Sequence, residues 1–270
     1  MNFNEETPSW QVKSVAKAIQ ILSCFTPAEP ELSLVDISRK LDIPKSTALN
    51  LLRTLESYGY ISRVYPSLNY RLGYTVLQLN YSMMMSMPVV RFAISFLEDL
   101  QAKTGKTVYL TTHVNGKVLY LDVAYQNGRM YSYSIVGKTL NMHCTGCGKA
   151  ILAYLPEEER ESIITTHGLP IYTPNTICTK EALEKELEEI RRNGYAFDHE
   201  EETLGVRCIA APIRNAQGYP TAAISLSGSA PSMQDDQMKE YATMLIDTCH
   251  ALSNNANEFP AGQLLLLNQK

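Results

Sequence analysis

The 270-residue sequence predicts an α+β protein: an N-terminal winged helix-turn-helix domain, a linker helix, and a C-terminal domain built on an antiparallel sheet with helices packed on it. Three observations carry this. Residues 34–73 read as helix, tight turn, helix and two-stranded wing. The run from Tyr74 to Thr104 keeps a helical pattern, interrupted at Pro88. Beyond residue 105, strand-like hairpins alternate with helices. The expected boundaries are 1–11 for a flexible N-terminus, 12–73 for the winged domain and 74–104 for the linker. The second domain takes 105–254 and a disordered tail 255–270.

Val12 to Phe25 places apolar residues at 15, 18, 19, 22 and 25, close to the i, i+3, i+4, i+7 template. Ser14 is the expected N-cap, and Pro27 and Pro30 end the segment. Ser33 caps the next helix, with Asp36 three residues on as in a capping box. Pro44 suits the first turn of the second helix. There Leu49, Leu52 and Leu55 form the expected buried stripe, leaving Lys45, Ser46, Asn50 and Arg53 outside. Gly59 is the expected C′ residue. Two short strands flank Pro66-Ser67-Leu68-Asn69, a turn composition.

A helix-turn-helix places its second helix in the DNA major groove. The chain carries a net charge of -4, but the sign is not uniform. From Arg39 to Gly73, six bases (Arg39, Lys40, Lys45, Arg53, Arg63, Arg71) stand against two acids (Asp42, Glu56), a local net of +4. That suffices to hold phosphates. Hydrophobic content of 45% and charged content of 19% are those of a globular chain. No apolar run approaches the ~18 residues of a membrane span, and the first ten residues lack the basic and apolar regions of an export signal. Six cysteines in a chain of this size do not suggest a disulfide framework. Cys24 and Cys249, in apolar helical patterns, read as core thiols, and the setting as cytoplasmic.

In the second domain, Thr107 to Val114, Lys117 to Tyr125 and Arg129 to Val136 resemble strands, with Asn115-Gly116 a hairpin signal. Ile151 to Leu155 and Glu181 to Arg192 read as helices, the latter capped by Thr179. Val206 to Ile213 and Pro220 to Ser227 resemble strands joined through Gly218. Ser232, with Asp235 three on, starts a final helix reaching about Asn254. The densest motif is Met142 to Ala150, where glycines flank Cys147 before an apolar segment. Free amides at such a helix start can cradle a carboxylate at Gly146 and Cys147; the same residues also suit a tight turn packed on the sheet. Ser225 and Ser227 share one strand face, to grip a polar ligand or to face solvent. Cys208 sits on the neighbouring strand, and Asp198 at a strand end before Glu200-Glu201-Glu202, a charge run expected to form a solvated loop. Tyr109, Tyr120, Tyr131 and Tyr133 suit a pocket lining or a core equally. Cys144 and Cys147 have C-x-x-C spacing, weak evidence for metal without a second pair; His143, Cys178 and Cys208 are the remaining candidates. No nucleophile elbow, Walker loop, dinucleotide fingerprint or zinc-protease motif occurs, so no enzyme, cofactor or metal is expected.

With these residues in order, the chain resembles the IclR-type bacterial transcriptional regulators over roughly 12–254. The matching residues are Ser14-Val15, Lys45-Ser46-Thr47, Leu51-Leu52, Gly59-Tyr60 and Tyr70 to Gly73. Further on they are His143, Gly146, Gly148-Lys149-Ala150, Gly194-Tyr195-Ala196, Asp198, Gly205-Val206, Cys208 to Ile213 and Ser225 to Gly228. The resemblance implies a GAF-like sensor domain and dimers through the DNA-binding domains, often paired into tetramers. It also implies operator binding tuned by a small molecule, commonly an organic acid. By position, the effector pocket would involve Gly146, Cys147, Asp198, Cys208, Ser225 and Ser227. Two departures stand out. Many relatives have Arg where this chain has Asn50, and Asn favours adenine where Arg favours guanine or phosphate. Cys144 and Cys147 replace small residues such as Ala.

The expected protein is therefore a ligand-responsive, double-stranded-operator-binding regulator. Lys45, Ser46, Thr47 and Asn50 would face the major groove, Arg39 and Arg53 phosphates, and Arg63 and Arg71 of the wing the backbone or minor groove. The alternative is a thiol- or metal-responsive regulator using Cys144, Cys147 and Cys208.

Overall fold

A computed structural model describes residues 10–125 and 135–256. The chain divides into two compact units, one ending at Ser86 and one starting at Met87. The expected N-terminal segment up to residue 9, residues 129–134 of the strand expected over Arg129 to Val136, and the expected tail from residue 257 lie outside the described residues, as do Tyr131 and Tyr133; Ile135 and Val136 form no strand, and residues 255–256 close the last helix.

The first unit contains α1 (Lys13–Ser23), α2 (Leu34–Lys40), α3 (Lys45–Ser57), the wing strands β1 (Ile61–Val64) and β2 (Asn69–Leu72), and α4 (Tyr74–Ser86). The capping box at α2 is complete: Asp36 N–H donates to Ser33 Oγ, and the Asp36 carboxylate accepts from the Ser33 N–H. Helix α3 ends in a Schellman arrangement, with Tyr60 N–H on Leu55 O and Gly59 N–H on Glu56 O. The wing pairs antiparallel, Ile61 opposite Leu72. Ile21, Phe25, Leu32, Ile37, Leu52, Ile61 and Tyr70 form one core. Three local expectations are corrected. The N-cap of α1 is Val12, without a side-chain bond, so Ser14 lies inside the helix. Pro44 is the N-cap of α3 rather than a first-turn residue. The buried positions of α3 are Ala48 and Leu52, with Leu49 and Leu55 only part-buried, because the inward arc is centred between Ala48 and Leu52. On α1 the buried arc runs through Ile21 towards Phe25, and Val15 and Ile19 are exposed.

The second unit opens with α5 (Pro88–Thr104), Pro88 at its first position. The strands are β3 (Thr107–Val114), β4 (Lys117–Ala124), β5 (Thr139–Asn141), β6 (Ala196–His199), β7 (Val206–Arg214) and β8 (Pro220–Ser229). They form one antiparallel sheet in the order β5-β4-β3-β8-β7-β6. Asn115 and Gly116 both have positive φ, the two-residue turn the sequence signals between β3 and β4. Helices α6 (Gly146–Leu152), α7 (Glu157–His167), α8 (Lys180–Asn193) and α9 (Asp235–Ala256) complete the unit. Helices α5 and α9 pack on each other and on the sheet, while α6 packs on β6, β7 and β8 and against α8. Ile224 and Leu226 alternate with Ser225 and Ser227, so the serines fall on the face with Ala210 and Ala223.

Here too the sequence reading needs correction. The apolar helix begins at Gly146, not Ile151, because the Thr145 hydroxyl accepts the Gly148 N–H and caps it. Ser232 belongs to a 3-10 turn and its hydroxyl bonds Ser229 O, so it does not cap α9. Cys24, at the C-cap of α1, is part-buried and packs against the first unit's core, and Cys249 is buried as expected. The α7 helix and the short β5 strand carry too little periodicity to be seen beforehand.

Candidate functional sites

In the first unit, α3 presents Ser46, Asn50 and Arg53 on one exposed face, at i, i+4 and i+7. Lys45 is exposed in the first turn and Thr47 is part-buried beside it. Among the described residues Lys45 and Arg53 carry no ion pair. Arg39 is exposed but paired with Asp36 at 2.5 Å. On the wing the two arginines differ. The Arg63 guanidinium lies 5.0 Å over the Tyr70 ring, donates to its hydroxyl at 2.8 Å and approaches Glu56 at 3.6 Å. Arg71 is exposed, and among the described residues its guanidinium is held by a 3.4 Å bond to Ser62 Oγ. Arg63 therefore braces the wing, and Arg71 is the more available of the two.

In the second unit, strand register lines up Asp198, Cys208 and Ser227 on three adjacent strands, and Ala196, Ala210, Ser225 and Tyr109 on four. Small residues in these rows let α6 sit close to the sheet. Gly146 shows how close: a Cβ there would stand 3.4 Å from that of Ala210, whereas at Gly148 a Cβ would overlap the carbonyl and Cα of Met142 in the bend before α6. Between α6 and the sheet lies a cavity of about 160 Å³. Gly146, Cys147, Asp198, Cys208, Ser225 and Ser227 all line it. So do Tyr109, Tyr120, Leu140, Lys138, Thr145 and Glu202, of which the sequence singled out only the tyrosines, as undecided.

The cavity is polar at its sheet side. Cys208 Sγ donates to Ser227 Oγ at 3.1 Å. The Cys147 thiol faces the Ser225 and Thr111 hydroxyls. Burial pushes both thiols up, most strongly Cys208, and Cys144 to about 12, so none is an activated thiolate. Asp198 is 5% exposed. Its Oδ1 accepts the Glu201 N–H at 2.8 Å, but burial dominates and lifts the carboxyl to about 7. Tyr109 and Tyr120 meet edge to face at 5.3 Å and form the aromatic wall.

The acidic run after Asp198 is not the solvated loop expected from its charge. Glu201 is 3% exposed and accepts from Lys149 Nζ at 2.5 Å, and Lys149, fully buried on α6, also donates to Glu186 of α8 at 2.9 Å. The Glu201 carbonyl accepts from the Thr173 and Thr176 hydroxyls. A buried ammonium overrides the solvation that a Glu-Glu-Glu run normally seeks. No group of three His, Cys, Asp or Glu could hold a metal among the described residues. Cys147 and Cys208 share the cavity, but the Cys144 thiol turns to Asn141 O and Cys178 is exposed.

A winged-helix domain in one chain with an antiparallel-sheet domain that holds a polar cavity is the make-up of a class: DNA-binding transcriptional regulators with a separate second domain. Comparison with known proteins makes this specific. Residues 14–64 match the IclR helix-turn-helix domain, and residues 81–254 match the bacterial transcriptional regulator IclR C-terminal domain. The chain belongs to the IclR family of DNA-binding transcriptional regulators. It is 32% identical over 250 residues to the HTH-type transcriptional regulator XynR of Escherichia coli (strain K12), covering 93% of this chain and 99% of that one. It is 29% identical over 238 residues to the transcriptional repressor IclR of the same organism, covering 87% of each. An IclR transcriptional regulator structure from Alicyclobacillus acidocaldarius superposes with TM-score 0.81 at 27% identity, over 91% of this chain and 99% of that one. An IclR homolog from Microbacterium hydrocarbonoxydans, complexed with 4-hydroxybenzoate, has the same fold: TM-score 0.79 at 22% identity, over 91% of this chain and 100% of that one.

Proposed function

We propose that this regulator represses transcription from an operator read by α3, and that a small organic acid in the second unit's cavity tunes that hold. The observation that carries the reading is convergence: six residues far apart in sequence line one cavity of about 160 Å³. An apolar cavity of about 150 Å³ accommodates benzene, so a ligand of roughly six to ten heavy atoms fits. The Gly146 and Cys147 amides, first in α6, have no acceptor within the helix, and the serine and tyrosine hydroxyls surround the rest. The complex of the Microbacterium protein with 4-hydroxybenzoate supports a fold able to house a small acid, and the repressor names among relatives support the sign of regulation.

At the DNA end, Asn50 would read a base edge, Lys45 and Ser46 would sit at the groove, and Arg53, Arg39 and Arg71 would hold phosphates. Val12, Val15 and Ile19 of α1, with Tyr74, Leu77 and Tyr81 of α4, are large apolar residues left exposed on the first unit. Apolar stripes on two helices are best satisfied by a second copy, giving a dimer that reads a pseudo-palindrome. A ligand that favours one sensor state by ~1–3 kcal/mol would change operator affinity about 5–150-fold.

The test uses the operator found by footprinting the protein's own upstream DNA, and a ligand found by thermal-shift screening of organic acids. Asn50→Ala is expected to weaken operator binding while the ligand-induced thermal shift persists. Ser225→Ala with Ser227→Ala is expected to abolish the ligand response and leave DNA binding. Unchanged operator affinity in the first variant, or a full response in the second, refutes the assignment. The thiol- or metal-responsive alternative predicts operator binding that changes with reductant or chelator.

A further inference from the structure

We infer that the cavity takes up a proton together with its acid ligand, the proton residing on Asp198. This rests on the reading that the ligand is a carboxylate, and on a charge balance visible in the site.

A Cβ placed on Gly146 would stand 3.7 Å from the Cβ of Asp198, 3.6 Å from that of Cys208 and 3.4 Å from that of Ala210. A carboxylate seated against Gly146 and the serines therefore lies beside the Asp198 carboxyl. Two carboxylates in one buried site do not both stay ionised; they share a proton. Among the described residues two cations come near it, Lys149 and Lys138. Lys149, behind the cavity on α6, is already divided between Glu201 and Glu186, so that triad carries one positive and two negative charges. Lys138 lies at the exposed rim, with Glu202 also lining the cavity. Among the described residues, the remaining titratable groups around Asp198 are Cys144 and Cys147 beside and on α6, Cys208 on β7, and Tyr109 and Tyr120 on β3 and β4. Burial pushes all of these up and keeps them neutral. His199, next in sequence, is turned to Arg207, bonded through Nδ1 at 2.8 Å.

Neutral Asp198 converts a repulsive neighbour into a donor. Its Oδ1 keeps the Glu201 N–H, and the protonated oxygen gives a charge-assisted O–H bond to the ligand carboxylate. No bond other than this hydrogen bond forms; the proton comes from solvent. The cavity thereby selects monocarboxylates over dicarboxylates, for which a second charge would meet Glu202. With the free carboxyl raised to about 7, ligand affinity should be level in mild acid and fall about tenfold per pH unit above neutrality.

The experiment is calorimetric titration of the full chain with acetate, benzoate and 4-hydroxybenzoate, each against its amide, between pH ~6 and ~9 in buffers of different ionisation enthalpy. The expected result is uptake of close to one proton per acid bound above neutrality, with affinity falling tenfold per pH unit, and no uptake with the amides. Asp198→Asn, which imitates the neutral carboxyl, is expected to flatten the profile and abolish uptake. Acid binding that is level with pH in the unaltered chain, without proton uptake, overturns the inference and leaves the carboxylate reading standing. Preference for the amides, or no acid bound at tens of millimolar, overturns that reading and the inference with it.

Discussion

Replacing Lys149 with Met isolates the buried charge network that supports the cavity. In the native chain the two carboxylates raise the Lys149 ammonium pKa against desolvation, and the ammonium opposes the burial that pushes the Glu201 carboxyl up. Methionine fills a similar volume, so the loss is chiefly of charge. Removing one member of a buried pair costs about 3–5 kcal/mol, because the other is left without its counter-ion. One oxygen of Glu201, Oε2, already has no hydrogen-bond partner among the described residues, so the group has little to fall back on. For a unit of this size each kcal/mol moves Tm by about 2–4 °C, giving a fall of about 6–20 °C near neutral pH. The pH dependence carries a sign. In the variant the folded Glu201 pKa lies above its unfolded value near 4.5. The deficit therefore largely disappears below that pH, where both states are protonated, and grows as pH rises. Adding Glu201→Gln should recover about 2 kcal/mol or more at pH ~8, a coupling expected of contacting charges. The assay is urea unfolding of each variant followed by circular dichroism across pH. A Lys149→Met protein within about 1 kcal/mol of the parent at pH ~8, with no pH trend, would refute the reasoning.

Other outcomes follow from the same structure. Gly148→Ala forces a Cβ onto the Met142 backbone, so the second unit should lose its cooperative unfolding transition while the first retains its own. Asp198→Asn should stabilise the unliganded protein above neutrality: the carboxyl moves from 3.8 to about 7 on folding, so its contribution is lost as pH rises through about 7. The gain in urea unfolding at pH ~8 should be about 2–4 kcal/mol, and nil below pH ~4. Leu52→Ala, at a fully buried position, should cost the first unit about 2–5 kcal/mol. Val15→Glu with Ile19→Glu should shift sedimentation towards monomer and weaken operator binding, with secondary structure unchanged by circular dichroism.

Local signals with a one-residue mechanism were legible in the sequence. The Ser33–Asp36 box, Gly59 at the end of α3, Asn115-Gly116 and Thr179 each act through their own backbone, and each stands where the pattern puts it. The face shared by Ser225 and Ser227 followed from strand period alone. What pattern could not supply was partnership across distance. Lys149 and Glu201 lie 52 residues apart, and a Glu-Glu-Glu run looks solvated until a buried ammonium is found beside it. Nothing in sequence shows Tyr70 beneath Arg63 either, a contact that sets it apart from Arg71 on the same wing. Thr145 was passed over because the glycines after it weaken any helical pattern, although a Thr three residues before Gly148 is an N-cap signal. On α1, Val15 and Ile19 satisfied the helical template yet point outward; periodicity finds an apolar stripe but does not say what covers it.

The central claim is that an α3-borne grip on DNA is governed by occupancy of the second unit's cavity, and fluorescence anisotropy with the protein's own upstream DNA tests it most directly. Titrations at several salt concentrations, with and without a thermally stabilising acid, give both halves at once. A dimer using about three or four phosphate contacts per chain predicts a log–log salt slope of about −5 to −7, with operator affinity displaced at least about fivefold by the acid. Binding that is indifferent to salt, or identical with the cavity filled and empty, would contradict the account.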